Sequence, residues 1–193
     1  MPLPDVLSTI VREILDYLGD PLGSPPYNLY VYEPGDELAV RREMRDLAAF
    51  LTANGVDVAA LALAELMWQA IDDSDFYESI VSLERANPND PWALEQAQSS
   101  IQEILGGERS LADRVIEAVD DKPARCAVLL YRAGALYPAF RTSALLDDLR
   151  ERLRRPVVLM YPGTVVDPFG LRFMGKCEPT HGYRAKIHQR SHT

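Results

Sequence analysis

The sequence predicts an α/β fold, a mostly parallel Rossmann-like sheet flanked by helices, with a helical insertion and a C-terminal β-hairpin. Three observations carry that expectation. Short β-branched and aromatic runs (NLYVYE, VDVAALALA, RCAVLLYR, PVVLMY) alternate with segments whose apolar residues recur at helical spacing. RCAVLLYR and PVVLMY are apolar almost throughout, as strands covered on both faces are. Turn-forming pairs, Pro34-Gly35, Asn54-Gly55 and Pro162-Gly163, punctuate the alternation.

Taken in order, Leu7, Ile10, Val11, Ile14, Leu15 and Leu18 predict a first helix over Asp5–Leu18, with Asp5 at its start and Gly19-Asp20-Pro21 ending it. After the turn-rich GDPLGSPPY, residues 28–33 form the first strand. Leu38, Met44, Leu47, Ala48 and Leu51 predict a helix over 36–53, closed by Asn54-Gly55. VDVAALALA then completes a βαβ unit, which implies parallel pairing and a right-handed crossover. The insertion, about residues 64–121, reads as three or four helices broken at Asp72-Asp73-Ser74, at 87–91 and at Gly106-Gly107, with its acids mainly opposite its apolar face. Residues 125–132 form the third strand, YPAFRTSALLDDLRERL a helix, and PVVLMY a fourth strand that Pro156 opens. That strand is expected to stop at Pro162-Gly163. FGLRFMG and GYRAKI then predict an antiparallel hairpin over about 165–188, and HQRSHT a frayed tail. All 193 residues are expected in one domain.

Composition narrows the function classes. The most apolar run, 56–69, is interrupted by Asp57 and Glu65 and is too short to cross a bilayer. The N-terminal stretch reads as an amphipathic helix without a basic leader, and two cysteines suggest no disulfide framework; together these predict a cytoplasmic address. Net charge is −9, which argues against a surface devoted to phosphate backbones. The charge is unevenly spread: residues 1–121 hold 7 Lys/Arg against 24 Asp/Glu, and residues 122–193 hold 13 against 5. A compact fold can interleave the two segments and cancel much of this field; the sharper reading is an assembly component, one face meeting a basic partner and the other an acidic protein or nucleic acid. Direct nucleic-acid contact is not expected overall and would fall to the basic C-terminal third.

Motifs with specific chemistry are few. Neither GxxxxGK[ST] nor GxGxxG occurs; Gly106-Gly107-Glu108-Arg109-Ser110, the nearest imitation of a phosphate loop, joins two helices. Cys177, His181, His188 and His192 are spaced C-x3-H-x6-H-x3-H, which matches no common zinc pattern, so no metal and no cofactor are expected. No serine sits in a G-x-S-x-G elbow, and the acid pairs Asp72-Asp73, Asp120-Asp121 and Asp147-Asp148 read as helix-end or exposed charges. No catalytic residue is assigned and the chain is expected not to be an enzyme. The residues expected to bind a partner or ligand follow strand ends or lie in the hairpin: Arg132, Tyr137, Arg141, Tyr161, Gly163, Arg172, Tyr183 and Arg184. Arg132, Arg141, Arg172 and Arg184 would form a cationic rim suited to a phosphate or a carboxylate-bearing loop.

LYVYEP followed by DELAVRREMRDL, then GALYPAFRTSALLDDL, PVVLMYPG, GLRFMG and GYRA, resemble in this order the BrxB family of the bacteriophage exclusion (BREX) defence systems of bacteria. The resemblance implies a small non-catalytic subunit needed for phage restriction, working alongside a DNA methyltransferase, a large ATPase and a PglZ-type phosphatase-fold protein. It points to a scaffold that docks these proteins, the PglZ-type protein first. The alternative is a degenerate nucleotide- or phosphate-binding enzyme that uses the strand-end turns.

Overall fold

A computed structural model describes residues 3–167 and 170–191. Strands β1 (Tyr27–Tyr32), β2 (Asp57–Ala62), β3 (Cys126–Tyr131), β4 (Val157–Val166) and β6 (Lys186–Gln189) lie in the order β2-β3-β4-β1-β6, and β5 (Gly170–Phe173) pairs with the end of β4. Every pairing between these strands is parallel except β4 with β5, and Leu171 of β5 also bridges Thr180 in antiparallel fashion.

Alternation along the three central strands feeds two separate cores. Leu29 and Val31 of β1, Val128 and Leu130 of β3, and Val157, Leu159 and Tyr161 of β4 turn to one face. Tyr30, Tyr32, Ala127, Leu129, Val158 and Met160 turn to the other. Strands buried on both sides need helices on both sides, which is why these runs carry so little polar punctuation. Helices α1 (Asp5–Gly19) and α2 (Glu37–Ala53) cover the second face through Leu7, Ile10 and Ile14, and Val40, Leu47 and Leu51. On the first face lie α3 (Leu63–Asp72), α5 (Pro91–Gly106), α6 (Leu111–Glu117) and α7 (Thr142–Arg152). Between α3 and α5, α4 (Tyr77–Ala86) contributes no buried residue. Asp90 caps α5 by accepting from the Trp92 amide at 2.9 Å, and Ser110 and Asp113 form a capping box at α6.

The mostly parallel α/β class is as expected, and the helical segment resolves into four helices, three of them laid on the sheet. Several expectations are corrected. β1 and β2 share the sheet in parallel but do not pair, since β4 and β6 occupy both edges of β1 and β2 pairs only with β3. Residues 137–141 are not helical: Tyr137 is extended before Pro138, where the proline ring disfavours the α region, and α7 begins at Thr142. The fourth strand does not stop at Pro162-Gly163. It runs on to Val166, pairing in parallel with β1 as far as Pro162 and antiparallel with β5 from Gly163.

The C-terminal hairpin therefore joins the end of β4 to β5; FGLRFMG and GYRAKI do not pair as its two arms. Its connecting Pro168 and Phe169 lie outside the described residues. GYRAKI leads instead into β6, which adds to the open edge of β1, a buried strand whose edge groups need partners. The residues read as a frayed tail are thus ordered through Arg190. Its amide donates to Val31 O at 2.8 Å, and its guanidinium bonds Glu43 and Asp36.

Candidate functional site

The sequence-predicted site residues divide into a packed aromatic group and scattered cations. Tyr161 is fully buried, its ring 5.3 Å from Phe173 and 5.9 Å, edge-on, from Tyr183. Tyr137 meets Phe173 edge-on at 6.4 Å, and the Tyr183 hydroxyl shares a 3.2 Å hydrogen bond with Thr142. Gly163 lies under this group for lack of room: a Cβ there would collide with Arg172 O and come within 2.7 Å of Tyr161 Cε1. Burial drives the Tyr161 hydroxyl pKa strongly upward, with the neighbouring Tyr183 hydroxyl acting in the same direction, and no described residue meets full hydrogen-bond geometry with it. These four residues bind the hairpin and the 180–184 segment to β4, which is packing chemistry.

The four arginines do not form one rim. Arg132 follows β3 in the left-handed region, φ 57°, an uncommon conformation for a non-glycine residue. It lines a hollow of about 270 Å³ at the carboxyl ends of the strands with Arg41, Gly134 and Pro162. Carboxyl strand ends are where open α/β sheets take ligands. Both cations there are already matched, Arg132 by Glu65 at 3.1 Å and Arg41 by Glu37 at 3.0 Å. Arg184 lies at the opposite end of the strands, in a cleft of about 830 Å³ beside Tyr27, Lys186, Glu13 and Asp16, where carboxylates offset the cations. Arg141 and Arg172 are exposed on the flank of α7 and on β5.

The described candidate metal ligands, Cys177, His181 and His188, do not form a three-residue group. His188 Nε2 lies 3.0 Å from Asn28 Oδ1, inside the β1–β6 pair, and burial is the main cause that pulls its pKa below 6.5. His181 packs beside Gly170, and His192 lies outside the described residues. Among the described residues no group of three or more His, Cys, Asp or Glu is placed to hold a metal ion. Both thiols, buried Cys126 and half-buried Cys177, are pushed up by burial, away from the thiolate form. Gly106 and Gly107 join α5 to α6 as expected. Asp73 bridges Arg114 at 2.8 Å and Arg109 at 3.1 Å, a structural use of an acid pair.

An incompletely compensated cationic surface lies where the segment-by-segment charge count concealed it. Arg41, Arg42 and Arg45, with Leu38, Met44 and Tyr131, line a groove of about 380 Å³ on α2. Arg42 and Arg45 pair with no carboxylate among the described residues, and Leu38 beside them is 69% exposed. Arg41 and Arg45 share a helix face at i, i+4 spacing; this pattern was available in VRREMRDL but was averaged into an acidic two-thirds. A second surface the periodicity did not display is aromatic. Trp68 and Trp92, the chain's two tryptophans, are 55% and 56% exposed on the acidic helical layer. No helix among the described residues is long and apolar enough to cross a membrane.

A family model described as BREX protein BrxB matches residues 59–187. The match runs from β2 into β6 and takes in the helical layer together with GALYPAFRTSALLDDL, PVVLMYPG, GLRFMG and GYRA; LYVYEP and DELAVRREMRDL precede it. No curated protein and no solved structure matches the chain.

Proposed function

The chain belongs to the BrxB family and is a component of a BREX phage-defence system, and we propose that it acts there as a non-catalytic scaffold that docks other components of the system. The observation that carries this reading is the α2 groove. Two guanidiniums, Arg42 and Arg45, with no carboxylate partner among the described residues, stand beside an exposed apolar anchor, Leu38, over a floor that includes Met44 and Tyr131. Such a surface complements a carboxylate-bearing partner segment that also offers an apolar side chain, since guanidinium–carboxylate bonds orient and the apolar contact anchors. The partner proposed first is the PglZ-type protein, with the methyltransferase and large ATPase as further members of the same cytoplasmic assembly. A non-catalytic role accords with raised thiols and with strand-end arginines already matched by Glu37 and Glu65.

Co-purification from cells that express the complete set of subunits tests the reading. The wild-type chain is expected to be retained at physiological salt. Arg42→Glu/Arg45→Glu is expected to weaken retention at least about tenfold, a loss of roughly 1.4 kcal/mol, without lowering Tm. A wild-type chain that elutes alone while the other subunits associate refutes it.

A further inference from the structure

We propose that α4 and the turns at its two ends form a second docking face, for a protein surface that presents Lys or Arg around an apolar centre. The inference rests on the docking reading above but uses a different surface, on the opposite side of the sheet from α2.

Exposed large apolar side chains flank α4 along the chain, Trp68 on α3 before it, Phe76 and Tyr77 at its start, and Trp92 and Leu94 on α5, which packs against it. Trp68, Phe76, Tyr77, Trp92 and Leu94 are 39–56% exposed. Single exposed apolar residues are ordinary, but a concentration of them marks an interaction surface, and tryptophan and tyrosine are the side chains most often decisive in interfaces. α4 itself carries Tyr77, Ile80, Val81 and Leu83 and buries none of them. An amphipathic helix draws most of its stability from packing its apolar face, so this one lacks full cover. Ten residues span about 15 Å, so the aromatic groups at its two ends fit beneath one standard interface of about 800 Å² per partner.

Charge selects the occupant. Residues 63–106 hold nine carboxylates and one cation, Arg85. Glu65 pairs with Arg132, and Asp73 with Arg109 and Arg114. The other seven, among them Asp72, Asp75, Glu78, Glu84 and Asp90, have no cationic partner among the described residues. Such a field repels nucleic acid and anionic lipid and favours a basic protein surface. Between α4 and α5, Glu84, Asp90 and Leu94 line a groove of about 390 Å³ in which a cation and an apolar group can be met together. With the cationic α2 groove on the other side, the protein would bridge an acidic and a basic partner.

The test is hydrogen exchange on the isolated chain and on the assembly purified from cells expressing the full subunit set, with the variant Trp68→Ser/Trp92→Ser and the control Leu22→Ser, a residue 82% exposed elsewhere. Amides over residues 76–95 are expected to be protected at least tenfold in the assembly. The tryptophan variant is expected to associate at least tenfold more weakly with unchanged Tm, the control to associate normally, and a photocrosslinker at position 92 to capture a Lys/Arg-rich segment. Equal exchange in both states, or wild-type association by the double variant, overturns the proposal while the docking reading stands on Arg42 and Arg45. Protection that grows with concentration of the isolated chain, with a sedimenting dimer, also overturns it and assigns the face to a second copy. Protection by a DNA duplex overturns it as well. A wild-type chain with no partner removes the docking reading and this one together.

Discussion

Replacing Arg190 by Met should loosen the C-terminal strand from the sheet edge. Arg190 Nε donates to both Glu43 oxygens, at 3.0 and 3.2 Å, while its terminal nitrogens reach Glu43 at 2.9 Å and Asp36 at 2.8 Å. The guanidinium is 16% exposed, and the two carboxylates 19% and 36%. Removing one partner of a fully buried pair costs about 3–5 kcal/mol because the other charge is stranded. Here water still reaches Asp36, and Glu43 keeps the Tyr30 hydroxyl at 2.7 Å, so about 2–3 kcal/mol is expected, near the figure for hydrogen bonds to charged groups. For a chain of this size each kcal/mol moves Tm by about 2–4 °C, giving a fall of about 4–12 °C. Arg190→Lys should lie between, because an ammonium cannot reproduce the fork. Calorimetry measures the fall, and exchange at residues 186–190 locates it. A Tm within about 1 °C of wild type, with unchanged exchange, would show that the clamp does not hold β6 and would refute the reasoning.

Two further outcomes concern residues placed in the interior. Tyr161→Phe removes a buried hydroxyl that lies near the Tyr183 hydroxyl but meets full hydrogen-bond geometry with no described residue, while keeping the ring against Phe173 and Tyr183; stability should rise by up to about 1 kcal/mol, with docking unchanged, and a loss in urea denaturation would mean that Tyr183 satisfies the hydroxyl. The His188 pKa is lowered in the folded state by burial first, with Lys186 acting in the same direction and Glu13 opposing. The unfolded chain therefore binds the extra proton below about pH 6.5 more readily than the folded one, so this stability is full above that pH and is lost as pH falls toward the folded value. His188→Gln should flatten the dependence of the urea midpoint between pH 7.5 and 5.5, whereas an unchanged slope would assign it elsewhere. Asp113, held low chiefly by Arg152, loses its contribution only at more acid pH.

What the sequence displayed followed from burial. β1, β3 and β4 are covered on both faces, so their apolar runs and the helical periods between them were legible, and the α/β class with them. Strand order was not, because β2 beside β3 and β6 beside β1 are long-range choices that local pattern does not encode. The Pro162-Gly163 pair read as a stop for a local reason, namely its turn propensity. Gly163 instead allows Arg172 O and the Tyr161 ring to close over β4, a requirement visible only once β5 is in place. Aromatic residues after strand ends were singled out as binding groups; in the fold Tyr137 and Tyr161 pack their rings on Phe173, and Tyr183 packs on Tyr161. The surfaces with unmet demands were hidden for a converse reason. Arg42 and Arg45 sit in a sequence stretch dominated by acids, and nothing in composition distinguishes an exposed tryptophan from a buried one.

The pairing of β1 also bears on how the chain is made. Tyr27 sits opposite Val157, 130 residues later, and the other edge of β1 is closed only by residues 186–189. At about 5–20 residues per second on the ribosome, β1 waits roughly 7–26 s for its first strand partner. Throughout that interval YNLYVY is an aromatic, strand-forming segment with both edges open, while β2 and β3 can already pair. Synthesis therefore places a long demand for chaperone cover on a strand that ends up buried along its whole length.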